Sequence, residues 1–340
     1  MVEHTLPTRI LGRTGLAVSC LGLGTTEIGY VYGIGPRTLP SEGEAIELVR
    51  QAVDLGITFI DTAHFYGEAE ERIGKSGVAK LPGVVVATKC GHVLDRGESF
   101  TAEEFEWQVR SEVEESLRKL KLDVLSLVLY HGGSPEQIRS GLLVEVVQKL
   151  KDEGKVRFAG ISTRGEESPL AAIETGFFDV IQVGHSILDQ RLVARVLPLA
   201  EKRNIGVMNR SVLLKGALTG ARRHLPDELA PLKANADRAE AIGRGFGVDL
   251  PTLAIRFALS NPAISIVLVG TNKLEHLKRA RNAALAGPLP ADVLVELRGL
   301  AIDDYRQVDP KYWPADSVSD AKGGLKVHGV PAGAPAERNR

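Results

Sequence analysis

The sequence predicts a single eight-fold α/β barrel, a (β/α)8 TIM barrel, and three observations predict it. Eight short apolar runs, rich in β-branched residues, alternate with helical patterns along the chain. The runs are apolar on both faces, as parallel strands covered by helices are. The chemically distinctive residues fall at the ends of these runs, where such a barrel carries its chemistry. They are Asp61 and Tyr66 in IDTAHFYG, Lys89 in VVVATKC and His131 in LSLVLYHGG.

The elements follow in order. RILGRTGLAVS places the turn signal GRTG between two extended stretches and predicts a β-hairpin that caps the N-terminal end of the barrel. The eight strands are expected at 20–24, 57–61, 84–89, 124–130, 156–162, 179–184, 205–209 and 264–270. Between the first two, Ser41 and Glu44 form a capping box ahead of a helix that Gly56 stops. Thr101 and Glu104 repeat the box before FEWQVRSEVEESLRKL, whose Trp107 reads as helix packing. Ser134 and Pro135 open a helix expected to run to Glu153, with proline where its missing N–H costs nothing. The regular alternation predicts right-handed βαβ units. It breaks after the seventh strand, where GALTGARRHLP and two helical patterns, near 232–246 and 251–260, form a long excursion of the kind that serves as a lid or binding loop. A further helix is expected near 291–301. The organisation is one barrel over 1–315 and a polar, Gly/Ala/Pro-rich flexible tail over 316–340.

Composition narrows the function. The 340 residues suffice for one large core, although length alone would also allow two domains. A net charge of −1 gives no electrostatic case for nucleic acid or an acidic membrane surface. Cys20 and Cys90 lie beside apolar strands and read as buried free thiols rather than as a disulfide framework. No run of clustered ligands suggests a metal, and no apolar run approaches the roughly 20 residues of a membrane span. MVEHTLPTRI shows no secretory leader, so a cytoplasmic protein is expected.

Asp, Tyr, Lys and His at one barrel face suggest a phenol acting as an acid beside an ammonium and an imidazole. Singly each has an ordinary reading: a cap, a packing ring, a solvated charge, a turn histidine. Together they point to carbonyl reduction or the reverse alcohol oxidation. Tyr66 would pass the proton, the Lys89 ammonium would stabilise its phenolate, Asp61 would hold Lys89, and His131 would orient the carbonyl oxygen.

GITFIDTAHFYG, with ATK, the histidine closing the fourth strand, GKVRFAGIS, VIQVG, RSVLLKGALTG and LVGTNKLEHL, resembles the aldo-keto reductase superfamily over roughly residues 8 to 300. The resemblance implies a barrel that binds a nicotinamide cofactor without a Rossmann domain, and the chain carries no early G-x-G-x-x-G. It implies that Ser162, Thr163 (where the family commonly has Asn) and Gln182 meet the carboxamide. Arg210 stands where many members stack an aromatic ring. Ser211, Leu213, Lys215 and Gly216 would grip the pyrophosphate. Gly270, Thr271, Lys273 and His276 would hold the adenosine ribose. Arg often stands where this chain has His276, and the family's adenine-contacting Asn is replaced by Ala280. Lys273, His276 and Arg279 favour NADP over NAD, which stays possible. Tyr30 and Tyr32 read as a mobile lid, and Tyr305, Tyr312 and Trp313 as pocket aromatics. The leading expectation is an NADP(H)-dependent reductase of a small aldehyde or ketone. The alternatives are an NAD-dependent sugar dehydrogenase or a non-catalytic nucleotide-sensing relative. Oligomeric state is not readable.

Overall fold

The computed structural model describes residues 5–96 and 99–314. The expected tail over 316–340 lies outside the described residues. The N-terminal hairpin pairs β1 (Thr8–Ile10) with β2 (Ala17–Ser19) in antiparallel register. Eight parallel strands then close into a barrel: β3 (Leu21–Gly24), β4 (Phe59–Asp61), β5 (Val85–Cys90), β6 (Leu125–His131), β7 (Val156–Ser162), β8 (Val180–Gly184), β9 (Gly206–Arg210) and β10 (Ile266–Gly270). Neighbours in sequence are neighbours in space, and β10 returns to pair with β3. All eight expected strands are present. Their ladders run one or two residues later than the apolar runs at several starts; Ile57 and Thr58, for example, precede β4.

The helices are α1 (Glu42–Asp54), α2 (Ala69–Ser76), α3 (Val93–Arg96), α4 (Ala102–Leu120), α5 (Pro135–Arg139), α6 (Leu142–Asp152), α7 (Glu167–Glu174), α8 (Val196–Lys202), α9 (Ala230–Gly245), α10 (Leu250–Leu259), α11 (Leu274–Leu285), α12 (Ala291–Arg298) and α13 (Tyr305–Val308). Capping boxes at Ser41/Glu44 and Thr101/Glu104 form as expected. The helix expected from Ser134 to Glu153 is two helices. Gly141 adopts φ 86, a left-handed conformation that ends α5 and starts α6 at a new angle. Trp107 also departs from expectation. Phe105, Val109, Val113 and Leu120 form the inner face of α4, and Trp107 points away from it, 64% exposed. None of the described helices is long and apolar enough to cross a membrane.

Side chains alternate across each strand. The inward row packs Phe59, Val85, Ala87, Leu127, Leu129, Val180, Met208, Ile266 and Leu268 into one cluster. Leu11 and Val18 of the hairpin join it and plug the N-terminal end, while Arg13 bonds the Gly176 and Phe178 carbonyls and Arg9 those of Leu259 and Ile264. The outward row packs on the helices in a second, larger cluster, with both cysteines buried in it as free thiols. The excursion after β9 builds a third cluster from α9, α10 and α12 with Leu214 and Leu218. Full burial of a side chain such as Phe105, at 0% exposure, is worth about 1.5–3 kcal/mol.

Candidate active site

The period of two decides which residues reach the site. Continuing the inward row, Phe59 leads to Asp61, Val85 and Ala87 to Lys89, Leu127 and Leu129 to His131, Val180 to Gln182, and Met208 to Arg210. Register aligns these ends: His131 lies opposite Ser162, and Ser162 opposite Gln182. Tyr66 comes from the turn after β4, whose backbone bonds Tyr66 N to Ala63 O.

The four expected residues converge. Lys89 Nζ, fully buried, donates to Asp61 Oδ2 at 2.8 Å and to the Thr62 carbonyl at 2.8 Å, and lies 3.4 Å from Tyr66 Oη. Burial opposes the ammonium, but Asp61 and Tyr66 facing it prevail and hold the Lys89 pKa above the usual lysine value. The His131 ring sits 5.8 Å from the Tyr66 ring, edge to face. Burial first, then Lys89 and the neighbouring His92, push the His131 pKa well below the usual histidine range, so the ring is neutral. A neutral imidazole and a charged ammonium thus flank one phenol.

Gln182 does more than expected. Its Nε2 donates to Asp61 Oδ1 at 2.7 Å, and its Oε1 accepts from Ser162 Oγ at 2.9 Å. The residues expected at a carboxamide are therefore wired to the carboxylate that holds Lys89. Arg210 donates to the Thr163 carbonyl at 2.9 Å and to Ser211 Oγ at 3.2 Å. Thr163 Oγ1 is buried with no partner among the described residues.

Asp61, Tyr66, His131, Ser162, Gln182 and Arg210 form the floor of a cavity of about 1640 Å³, with Lys89 buried beneath it. Of the expected cofactor residues, Ser162, Gln182, Arg210, Ser211, Leu213, Lys215, Gly216, Gly270, Lys273 and His276 line it, while Thr163 and Thr271 are buried beside it. Lysines and arginines outnumber aspartates and glutamates along its walls although the chain is nearly neutral. Ser211, Leu214 and Lys215 all hold positive φ, at 63, 45 and 55. Non-glycine residues in that region carry strain that clusters where a backbone clamps a ligand. The orphaned Thr163 hydroxyl, the cationic walls and this strained segment fit a phosphate-bearing dinucleotide.

The positive cluster is weaker than the sequence suggests. Arg279 is paired with Asp249 at 3.3 Å. His276 Nδ1 lies 2.9 Å from Thr271 Oγ1, and burial with Arg279 nearby lowers its pKa, so it is neutral. Glu27 reaches the same end of the cavity beside Gly270; burial raises its pKa against the pull of Arg37 and Lys273.

Toward the mouth, Tyr30, Tyr32 and Trp313 line the cavity as expected. Tyr305 and Tyr312 do not: they are exposed and pack edge to face on each other. Sequence reading missed Phe65, His92, Asp95, Arg164 and Lys311, which line the wall beside His131. Asp95 bonds Arg164 and Lys311, each at 3.3 Å, and Arg164 bonds Asp309 at 2.9 Å. The available signal was GHVLD directly after ATKC, polar residues beyond a strand end. No cluster of three metal-ligating side chains occurs among the described residues.

Comparison with known proteins agrees with this geometry. The profile described as the Aldo/keto reductase family matches residues 20–302. L-galactose dehydrogenase of Arabidopsis thaliana is 35% identical over 286 residues, 79% of this chain and 85% of its own. NADH-specific methylglyoxal reductase of Escherichia coli (strain K12) is 28% identical, over 79% of this chain and 90% of its own. An aldo-keto reductase of Bacillus halodurans, solved in its holo form, superposes with a TM-score of 0.73 at 25% identity, over 89% of this chain and 100% of its own. A barrel with this rim, matched over that span, belongs to the aldo/keto reductase family, nicotinamide-using oxidoreductases of carbonyl and alcohol groups.

Proposed function

We propose that the protein interconverts a small carbonyl compound and its alcohol, with Tyr66 as general acid and base. One observation carries this: a charged, buried Lys89 set between Asp61 at 2.8 Å and the Tyr66 hydroxyl at 3.4 Å, beneath the cavity floor that Asp61 and Tyr66 line. A bound nicotinamide would supply or receive the hydride. Tyr66 gives the carbonyl oxygen its proton in reduction and takes it back in oxidation. Lys89 stabilises the phenolate left behind. Neutral His131 donates a hydrogen bond to the same oxygen and fixes its position. Ser162 and Gln182 would hold the carboxamide, and Gln182 couples that contact to Asp61. Arg210 would stack on the nicotinamide, Ser211, Leu213, Lys215 and Gly216 would hold the pyrophosphate, and Gly270, Thr271, Lys273 and His276 the adenosine ribose.

For the cofactor we take NADP(H) as the first reading, on Lys273. A second reading, NAD-dependent oxidation of a sugar hydroxyl, is favoured by Arg279 paired to Asp249, neutral His276 and the Glu27 carboxyl beside Gly270. Two of the relatives also act on sugars by name, L-galactose dehydrogenase and the 29% identical D-threo-aldose 1-dehydrogenase of a Pseudomonas species. The complete tetrad argues against a non-catalytic nucleotide sensor. Fluorescence titration with NADPH and NADH, followed by turnover of a carbonyl and aldose panel, tests the whole reading. No turnover with either cofactor on any member would overturn it.

A further inference from the structure

His92 packs beside His131, 4.8 Å between ring centroids, and the acid–base chemistry gives it no task. Gly91, at φ 66, turns the chain sharply off the end of β5, and its N–H is held by Glu112 at 2.6 Å. A side chain at Gly91 would meet Tyr130 at 3.1 Å, so the turn is sterically committed. It lays the His92 ring on the Phe65 ring, with centroids 3.8 Å apart and planes 24° off parallel. On the other side the His131 ring is 4.8 Å away. His92 therefore stands in the cavity wall one residue-width from the imidazole that steers the carbonyl oxygen.

We propose that His92 is a specificity-determining residue that receives the hydroxyl on the carbon next to the reacting one, and so selects neutral polyhydroxylated substrates of the aldose class. The proposal rests on the carbonyl/alcohol reading of the tetrad. Three observations carry it. The ring is locked by stacking, so it offers a fixed polar atom at low entropic cost. Its Nδ1 is buried without a partner among the described residues, which leaves Nε2 as the atom for a ligand. Beyond it Asp95 and Asp309 face Arg164 and Lys311 in one ion-paired chain. That stretch of wall offers hydrogen-bonding groups whose charges are engaged with each other, which suits a neutral polyol. Burial holds the His92 pKa down to about 4, so near neutrality the ring is neutral, and Nε2 meets the hydroxyl as donor or as acceptor according to its tautomer.

The test follows oxidation of L-galactose and of its 2-deoxy analogue with the oxidised cofactor, and reduction of methylglyoxal with the reduced cofactor, using whichever of NADP and NAD binds more tightly. A site built to bond a hydroxyl rejects the analogue that lacks it. The unmodified protein should therefore favour L-galactose over the 2-deoxy sugar in kcat/KM by about tenfold or more. His92→Phe keeps the stack on Phe65 and removes the polar atoms. It should lower kcat/KM for L-galactose about tenfold and leave the 2-deoxy sugar and methylglyoxal unchanged, so that selectivity collapses. His92→Gln should restore part of it. Equal losses on all three substrates would overturn the proposal, as would undiminished selectivity in His92→Phe or turnover of methylglyoxal with neither sugar. In each of those cases the tetrad reading survives. Absence of turnover on all three substrates, with cofactor bound, would overturn the proposal; absence across the whole carbonyl and aldose panel would overturn both.

Discussion

Replacing Asp61 by asparagine probes the charge on which the site depends. The change is nearly isosteric, and the new amide oxygen can still accept from Gln182 Nε2, now 2.7 Å from Asp61 Oδ1. What is lost is the counter-charge of an ammonium whose side chain has 0% exposure. Removing one member of a buried pair costs about 3–5 kcal/mol, because the other stays as an uncompensated charge. Urea unfolding at unchanged m-value should show a loss of that size. The loss should also depend on pH. In the unmodified protein Lys89 has a raised pKa. Its stabilisation is fully present below the unfolded lysine value of about 10.4 and disappears as pH rises through the folded value. Without Asp61, burial dominates and the folded pKa drops below the unfolded one. The unfolded chain then binds more protons, so the variant gains stability as pH rises between the two values. The deficit against the unmodified protein should narrow between about pH 7 and pH 10. A loss under about 1 kcal/mol, or a deficit level across that range, would refute a Lys89 ammonium held by Asp61, and the acid–base assignment would go with it.

Tyr66→Phe should lower kcat by about 10² or more while cofactor dissociation constants in a fluorescence titration stay unchanged; retention of a tenth of the activity would remove the phenol as the acid. NADPH should bind about tenfold more tightly than NADH if one charged contact forms at Lys273. Because His276 is neutral, that preference should be flat above pH 7 and should grow only as pH falls; His276→Arg should raise it. Asp249→Asn keeps the cap on Thr252 N but frees Arg279, so it too should tighten NADPH severalfold and leave NADH unchanged. Gly141→Ala places a Cβ at φ 86, and thermal or urea unfolding should report about 1 kcal/mol of destabilisation without loss of activity.

Legibility followed the range of the interactions. Strand order and the tetrad were readable because each rests on local pattern: an apolar run, its end, and one polar residue there. The capping boxes were readable for the same reason. The break at Gly141 was not, because a glycine is tolerated inside a helical pattern and only the packing of α5 and α6 forces the turn. Trp107 was misread because an aromatic residue suggests burial, whereas its register sets it two positions from Phe105 and off the inner face. The Gln182–Asp61 bond spans 121 positions in sequence, and nothing near either residue announces it. His92 and Arg164 were passed over because their meaning comes from Phe65, His131 and Asp309, which only the closed barrel brings alongside.

The pairing of β10 with β3 joins the two ends of the barrel sequence, and the cavity straddles that joint. Thr26 and Glu27 follow the first barrel strand; Lys273 and His276 follow the last. During synthesis a chain with seven strands out has two open sheet edges and lacks the stretch of cavity wall that holds Gly270, Lys273 and His276. A dinucleotide bound across the joint would act as a clasp on the closed ring, adding about 2.7 kcal/mol at a hundredfold excess over its Kd. Cofactor supply would then govern how long a newly made molecule survives as well as how fast it turns over.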